Sequence, residues 1–101
     1  MRTLMKVHLN IDAGNRAMRD GTLQKTIMSV ASLIKPEAVY FAPEDGKRTA
    51  YFFFDMQDSS LMPQITEPLF LELNAEVTFT PVMNQEELQK GLQNVMNAQK
   101  K

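Results

Sequence analysis

The sequence predicts a single α+β domain over residues 1–101. Strands and helices follow in the order βαββαβ, with one further helix at the C-terminal end. Three observations carry this prediction. Thr3, Met5, Val7, Leu9 and Ile11 alternate with Arg2, Leu4, Lys6, His8 and Asn10, the period of a strand with one apolar face. Leu23, Ile27, Val30, Ala31 and Ile34 recur at helical spacing. Tyr51, Phe52, Phe53 and Phe54 form an unbroken aromatic run, bounded by Gly46 on one side and by Asp55, Asp58 and Ser59 on the other.

The elements follow in turn. After the first strand, Asp12 to Gly14 reads as a loop. Helical spacing begins at Asn15 and runs to Ile34, interrupted by Gly21, which costs about 1 kcal/mol relative to alanine inside a helix. A short helical turn therefore precedes Gly21 and the main helix follows it, with Thr22 as N-cap and Pro36 as terminator. Ala38 to Ala42 is a short second strand. Asp45-Gly46 suits the positive φ angles of a tight hairpin turn, so Arg48 to Met56 returns as the third strand. Asp58 or Ser59 caps a second helical segment reaching Leu73; Pro63 fits its first turn, whereas Pro68 should kink or split it. Glu76 to Thr80 alternates as a fourth strand closed by Pro81. Asn84 with Glu87 three residues later has capping-box spacing, and Leu88, Leu92, Val95 and Met96 make an apolar stripe on the last helix.

This order is the ferredoxin-like pattern, in which the first and third strands lie centrally between the fourth and second. Both sheet-covering helices pack on one face. Met5, Val7, Leu9 and Ile11 point to the helices, together with Ala50, Phe52, Phe54, Met56, Val77 and Phe79. The far face then carries Lys6, His8, Asn10, Thr49, Tyr51, Phe53, Asp55, Glu76, Thr78 and Thr80. Matching strand midpoints sets His8 across from Tyr51, Lys6 from Phe53 and Asn10 from Thr49. A slip of two residues keeps the faces and changes the pairs. Such a face is too apolar for ordinary solvent surface and too polar for a dry core, so a second copy of the chain is expected to cover it.

Two such sheets face to face would enclose a lined cleft. In element order and face chemistry, residues 1 to about 97 resemble the dimeric α+β barrel superfamily. Its members pair ferredoxin-like subunits sheet to sheet and include muconolactone isomerases, cofactor-free antibiotic-biosynthesis monooxygenases and ligand-sensing domains of transcription regulators. Within it, Gly14-Asn15-Arg16-Ala17-Met18-Arg19-Asp20-Gly21 and Thr78-Phe79-Thr80-Pro81-Val82-Met83 look like segments of small uncharacterised bacterial proteins. The resemblance implies a homodimer and assigns no activity.

Composition limits the function classes. With 44% hydrophobic and 23% charged residues the chain suits one ordinary core. A net charge of −1 provides no basic field for nucleic acid or anionic lipid. No apolar run approaches the roughly 20 residues of a membrane span, and the alternating N-terminal strand is unlike a signal peptide; a cytoplasmic protein with no membrane partner is expected. Without cysteine there is no disulfide, thiolate nucleophile or zinc–thiolate site.

His8 is the one histidine and the candidate general base, with Tyr51 or Asn10 orienting a substrate; the alternative is a hydrogen-bonded histidine in a subunit interface. Lys6, Asn10, Tyr51, Phe53 and Asp55 are the candidate ligand-binding residues of the same face. Asn15 and Arg16 join them from the start of the first helix, where free N–H groups and a guanidinium suit a carboxylate or phosphate; the alternative there is a solvated helix face. Met5, Met28 and Met56 read as core gap-fillers, and Glu44, Asp45, Lys47 and Arg48 as a solvated turn. No metal site is expected, since neither Asp55 nor Glu76 has ligand spacing with His8, and no cofactor is implied. The leading functional expectation is binding of a small, partly apolar molecule; an isomerase or cofactor-independent oxygenase and a ligand-free structural dimer are the alternatives.

Overall fold

The computed structural model describes residues 1–100. It is an α+β structure with strands β1 (Arg2–His8), β2 (Ala38–Glu44), β3 (Lys47–Asp55) and β4 (Glu76–Pro81) and helices α1 (Ile11–Asp20), α2 (Thr22–Ile34), α3 (Met62–Leu73) and α4 (Gln85–Gln99). The four strands form one antiparallel sheet in the order β2-β3-β1-β4. This is the ferredoxin-like arrangement with an added C-terminal helix.

Met5, Val7, Leu9, Ala50, Phe52 and Phe54 are buried beneath Val30, Ile65, Leu69 and Leu73 of the helices. The aromatic run divides by alternation: Phe52 and Phe54 enter this core, while Tyr51 and Phe53 stand on the far face, each partly exposed. Val77 and Phe79 of β4 pack against the core, and Phe79 meets the Phe54 ring edge-on. The β2–β3 turn consists of Asp45 (φ 55°) and Gly46 (φ 75°), the two positive φ angles of the hairpin turn that the Asp-Gly pair predicts.

Several sequence expectations are corrected. β1 ends at His8, short of Ile11 where the alternation ends, and α1 starts at Ile11 and takes in the Asp12 to Gly14 segment expected as a loop. Asn10 caps the helix by accepting from the Ala13 N–H at 2.9 Å, and Asp12 in the first turn suits the positive end of the helix dipole. Ile11 is therefore on the helix and half exposed. Gly21 (φ 84°) breaks α1 from α2 and itself occupies the cap position; Thr22 instead donates its N–H to Asp20 Oδ1. The helix α3 runs through Pro68 as one element, because Ile65, Leu69 and Leu73 are anchored in the core on both sides of the missing N–H. Met5 is buried and Met56 packs against the core, but Met28 lies on the outer side of α2 and is 62% exposed.

α4 departs most from an ordinary domain. Its capping box forms as expected, with Asn84 and Glu87 exchanging both hydrogen bonds. Beyond that first turn the helix extends away from the domain, giving a shape of 61 × 28 × 18 Å. None of its residues is buried. No helix among the described residues is long and apolar enough to cross a membrane.

Candidate functional site on the open sheet face

The register places far-face residues in transverse rows. Ala38, Phe53, Leu4 and Thr80 form one row; Tyr40, Tyr51, Lys6 and Thr78 the next; Ala42, Thr49, His8 and Glu76 the third. These pairs differ from the midpoint match by the two-residue slip, with the faces unchanged: His8 is opposite Thr49, Lys6 opposite Tyr51 and Leu4 opposite Phe53. Side chains in a row lie close enough to interact across strands. The face is thus graded along the strands, apolar at Leu4, Phe53 and Tyr40 and polar at His8 and Thr49. Tyr40 meets Phe53 edge-on with ring centroids 6.4 Å apart.

Glu44 is the centre of the polar end, which overturns its assignment to a solvated turn. The two-residue turn extends β2 through Glu44, and parity with Tyr40 and Ala42 turns its carboxylate onto the far face. There it accepts the Tyr51 hydroxyl at 2.8 Å, faces His8 Nε2 at 3.0 Å and pairs with Lys6 Nζ at 3.4 Å. The Lys6 ammonium also lies 5.7 Å from the centre of the Tyr51 ring. The other imidazole nitrogen, His8 Nδ1, is 3.2 Å from the Thr49 hydroxyl, which is also 3.1 Å from the Lys47 carbonyl. Both sides of the ring are therefore held. A neutral His8 donates Nε2–H to Glu44 and accepts the Thr49 hydroxyl; a charged His8 donates from both nitrogens, and Thr49 turns its hydrogen to the Lys47 carbonyl. The site accommodates either protonation state without moving a heavy atom. The His8 side chain remains 19% exposed.

The other candidates are elsewhere. Asn10 is used as the α1 cap and is corrected out of the face. Asn15 accepts from Arg48 Nη1 at 3.1 Å, an approach permitted by Gly14, where an added Cβ would stand 3.0 Å from that nitrogen. Arg16 lines a polar surface depression with Asp12, Asp20 and Glu72. Asp55 belongs to the opposite end of β3, 2.6 Å from the Met1 amino group. Phe53 lines the apolar end of the face. Lys6, His8 and Tyr51 thus converge as expected on one face, whereas Asn10, Asn15, Arg16 and Asp55 do not join them. Among the described residues no three His, Asp or Glu side chains converge as metal ligands.

Comparison of the chain with protein-family models, curated proteins and solved structures gives no match. The chemistry of the face therefore carries the functional reading.

That chemistry has a measurable pH signature. The Tyr51 hydroxyl, more than any other neighbour, holds the Glu44 carboxyl below the usual carboxylate range, with Lys6 assisting. In return Glu44 holds the Tyr51 phenol above its usual value. Glu44 thus contributes stability above its unfolded pKa of about 4.3, lost as pH falls through the lower folded value. Tyr51 contributes stability below its unfolded pKa of about 10, lost as pH rises through the higher folded value. The stability difference between wild type and Tyr51→Phe is expected to be greatest between about pH 5 and 10 and to shrink outside that window. In an alkaline absorbance titration on a Tyr40→Phe background, Glu44→Gln should lower the pH of the Tyr51 step. An unchanged step would remove the Glu44–Tyr51 bond from the account.

Proposed function

We propose that the chain acts as a homodimer whose sheet faces meet as in a dimeric α+β barrel and bind a small, partly apolar molecule between them. The observation that carries this reading is the polarity gradient of the far face. Leu4, Phe53 and Tyr40 suit an apolar body, and Lys6, His8 and Glu44 suit a polar or anionic end. On an isolated chain this cluster faces open solvent; a covering copy would exclude water and strengthen each polar contact.

An amphipathic fluorescent anion such as an anilinonaphthalene sulfonate serves as probe. Lys6→Ala is expected to weaken its binding roughly tenfold, since hydrogen bonds to charged groups contribute about 1.5–3 kcal/mol. Binding that survives Lys6→Ala and disappears in Phe41→Asp, on the other side of the sheet, would place the probe outside the cleft and contradict the proposal.

Catalysis is the second reading, favoured by the fixed imidazole of His8. With Glu44 and Thr49 orienting the ring, His8 could move a proton in an isomerase or cofactor-independent oxygenase. His8→Ala should then abolish turnover and leave the dimer intact. Loss of the dimer would instead assign His8 to the interface.

A further inference from the structure

We propose that α4 docks into an apolar groove on a second copy of the chain, each copy offering its helix and receiving the other's. This rests on a different observation from the sheet-face reading, whose pairing it would reinforce. Leu88, Leu92, Val95 and Met96 fall on one side of α4 and are between 44% and 55% exposed. At 3.6 residues per turn the half-cylinder containing them also holds Gly91 and Ala98 and carries no charge, while Glu86, Glu87 and Lys90 lie on the other half. A helix lying on an anionic membrane would display lysines and arginines around its apolar face; α4 does not. Its chemistry asks for an uncharged, apolar groove.

The same chain presents such a groove. It lies between α2 and the β2 edge, has a volume of about 710 Å³, and is lined chiefly by Leu23, Ile27, Met28, Phe41 and Pro43. Arg48 is its one charged lining residue, and its guanidinium is already engaged by Asn15. Met28 and Phe41 are each 62% exposed, an unusual loss of apolar burial for both.

The helix and groove of one chain lie at opposite ends of the sheet. α4 begins beside Arg2, where β1 starts: the Val82 N–H donates to the Arg2 carbonyl and Arg2 pairs with Glu87. The groove is at Leu9 and Thr49, beyond the last residue of β1, roughly 23 Å away at the rise of a strand. α4 is itself about 22 Å long and extends the long axis instead of folding back. Its own groove is out of reach, whereas a two-fold related copy brings each helix to the other's groove and closes the exchange at two chains. A helix about 22 Å long and 10 Å wide covers roughly 220 Å², so two helices and two grooves bury about 900 Å², below the usual span of stable interfaces. The exchange therefore reinforces pairing made elsewhere and is weak alone.

The absence of cysteine from the chain makes the test clean. Single variants at Leu92→Cys and Met28→Cys are mixed, oxidised with copper and air, and resolved on a non-reducing gel, alongside the pairs Leu88→Cys with Phe41→Cys and Met96→Cys with Leu23→Cys. Far-UV circular dichroism confirms folding. A disulfide-linked dimer is expected in at least one mixture at tenfold or greater yield over either variant alone, and it should be lost when the groove partner also carries Ile27→Asp. Three results overturn the proposal: no coupling in any mixture, equal self-coupling of the α4 variants, or a bond within one chain when both cysteines are placed on the same molecule.

Discussion

Phe52→Ala is expected to destabilise the domain by about 3–5 kcal/mol, the cost of emptying a filled aromatic site. Phe52 is fully buried, with Met5 opposite it on β1 and Val39 opposite it on β2. It lies within the cluster closed by Ile65, Leu69 and Leu73, so the vacated volume cannot be filled by movement of one loop. Domains of this size have about 5–15 kcal/mol of total stability, so the loss is a large fraction of it. Melting followed by circular dichroism should fall by at least about 12 °C, taking 4–8 °C per kcal/mol. A fall of only a few degrees would mean that the core lies elsewhere.

The next residue should behave in the opposite way. Phe53→Asp is expected to leave the folded subunit within about 1 kcal/mol of wild type, because Phe53 is only partly buried and meets the Tyr40 ring edge-on. Its effect should fall on association. In the proposed dimer, two-fold symmetry would repeat the substitution in both sheets, removing two apolar contacts and placing two carboxylates between them. Dimer dissociation should strengthen at least 100-fold, equivalent to about 2.8 kcal/mol. Size-exclusion chromatography across a dilution series measures it. A variant that unfolds would instead place Phe53 in the subunit core. Adjacent aromatics with opposite phenotypes express the period of two in a strand.

The fold was legible because alternation and helical spacing act locally and agree with one another. The Asp45-Gly46 turn, the Gly21 break and the Asn84–Glu87 capping box were each readable from short-range chemistry. Register was not, since a two-residue slip leaves every face intact and hydrophobic patterning cannot oppose it. Asn10 reads as strand because alternation continues through Ile11, although an asparagine side chain competes for the free N–H groups of a following helix. Glu44 reads as solvated turn because charged residues beside a turn usually face solvent. The length of the turn held the missing signal. With only Asp45 and Gly46 between strands, Glu44 must pair with Lys47 and share the face of Tyr40. Met28 and the α4 stripe look like core in sequence, because periodicity reports that a surface is apolar and not which chain covers it.

The proposed dimer covers Tyr51, Phe53 and the cluster around Glu44 together, so the state of association is the property to measure. Sedimentation equilibrium of the unmodified chain at micromolar concentration should give a single species of twice the 11.5 kDa chain mass. A species of 11.5 kDa that persists through the accessible concentration range would contradict the account.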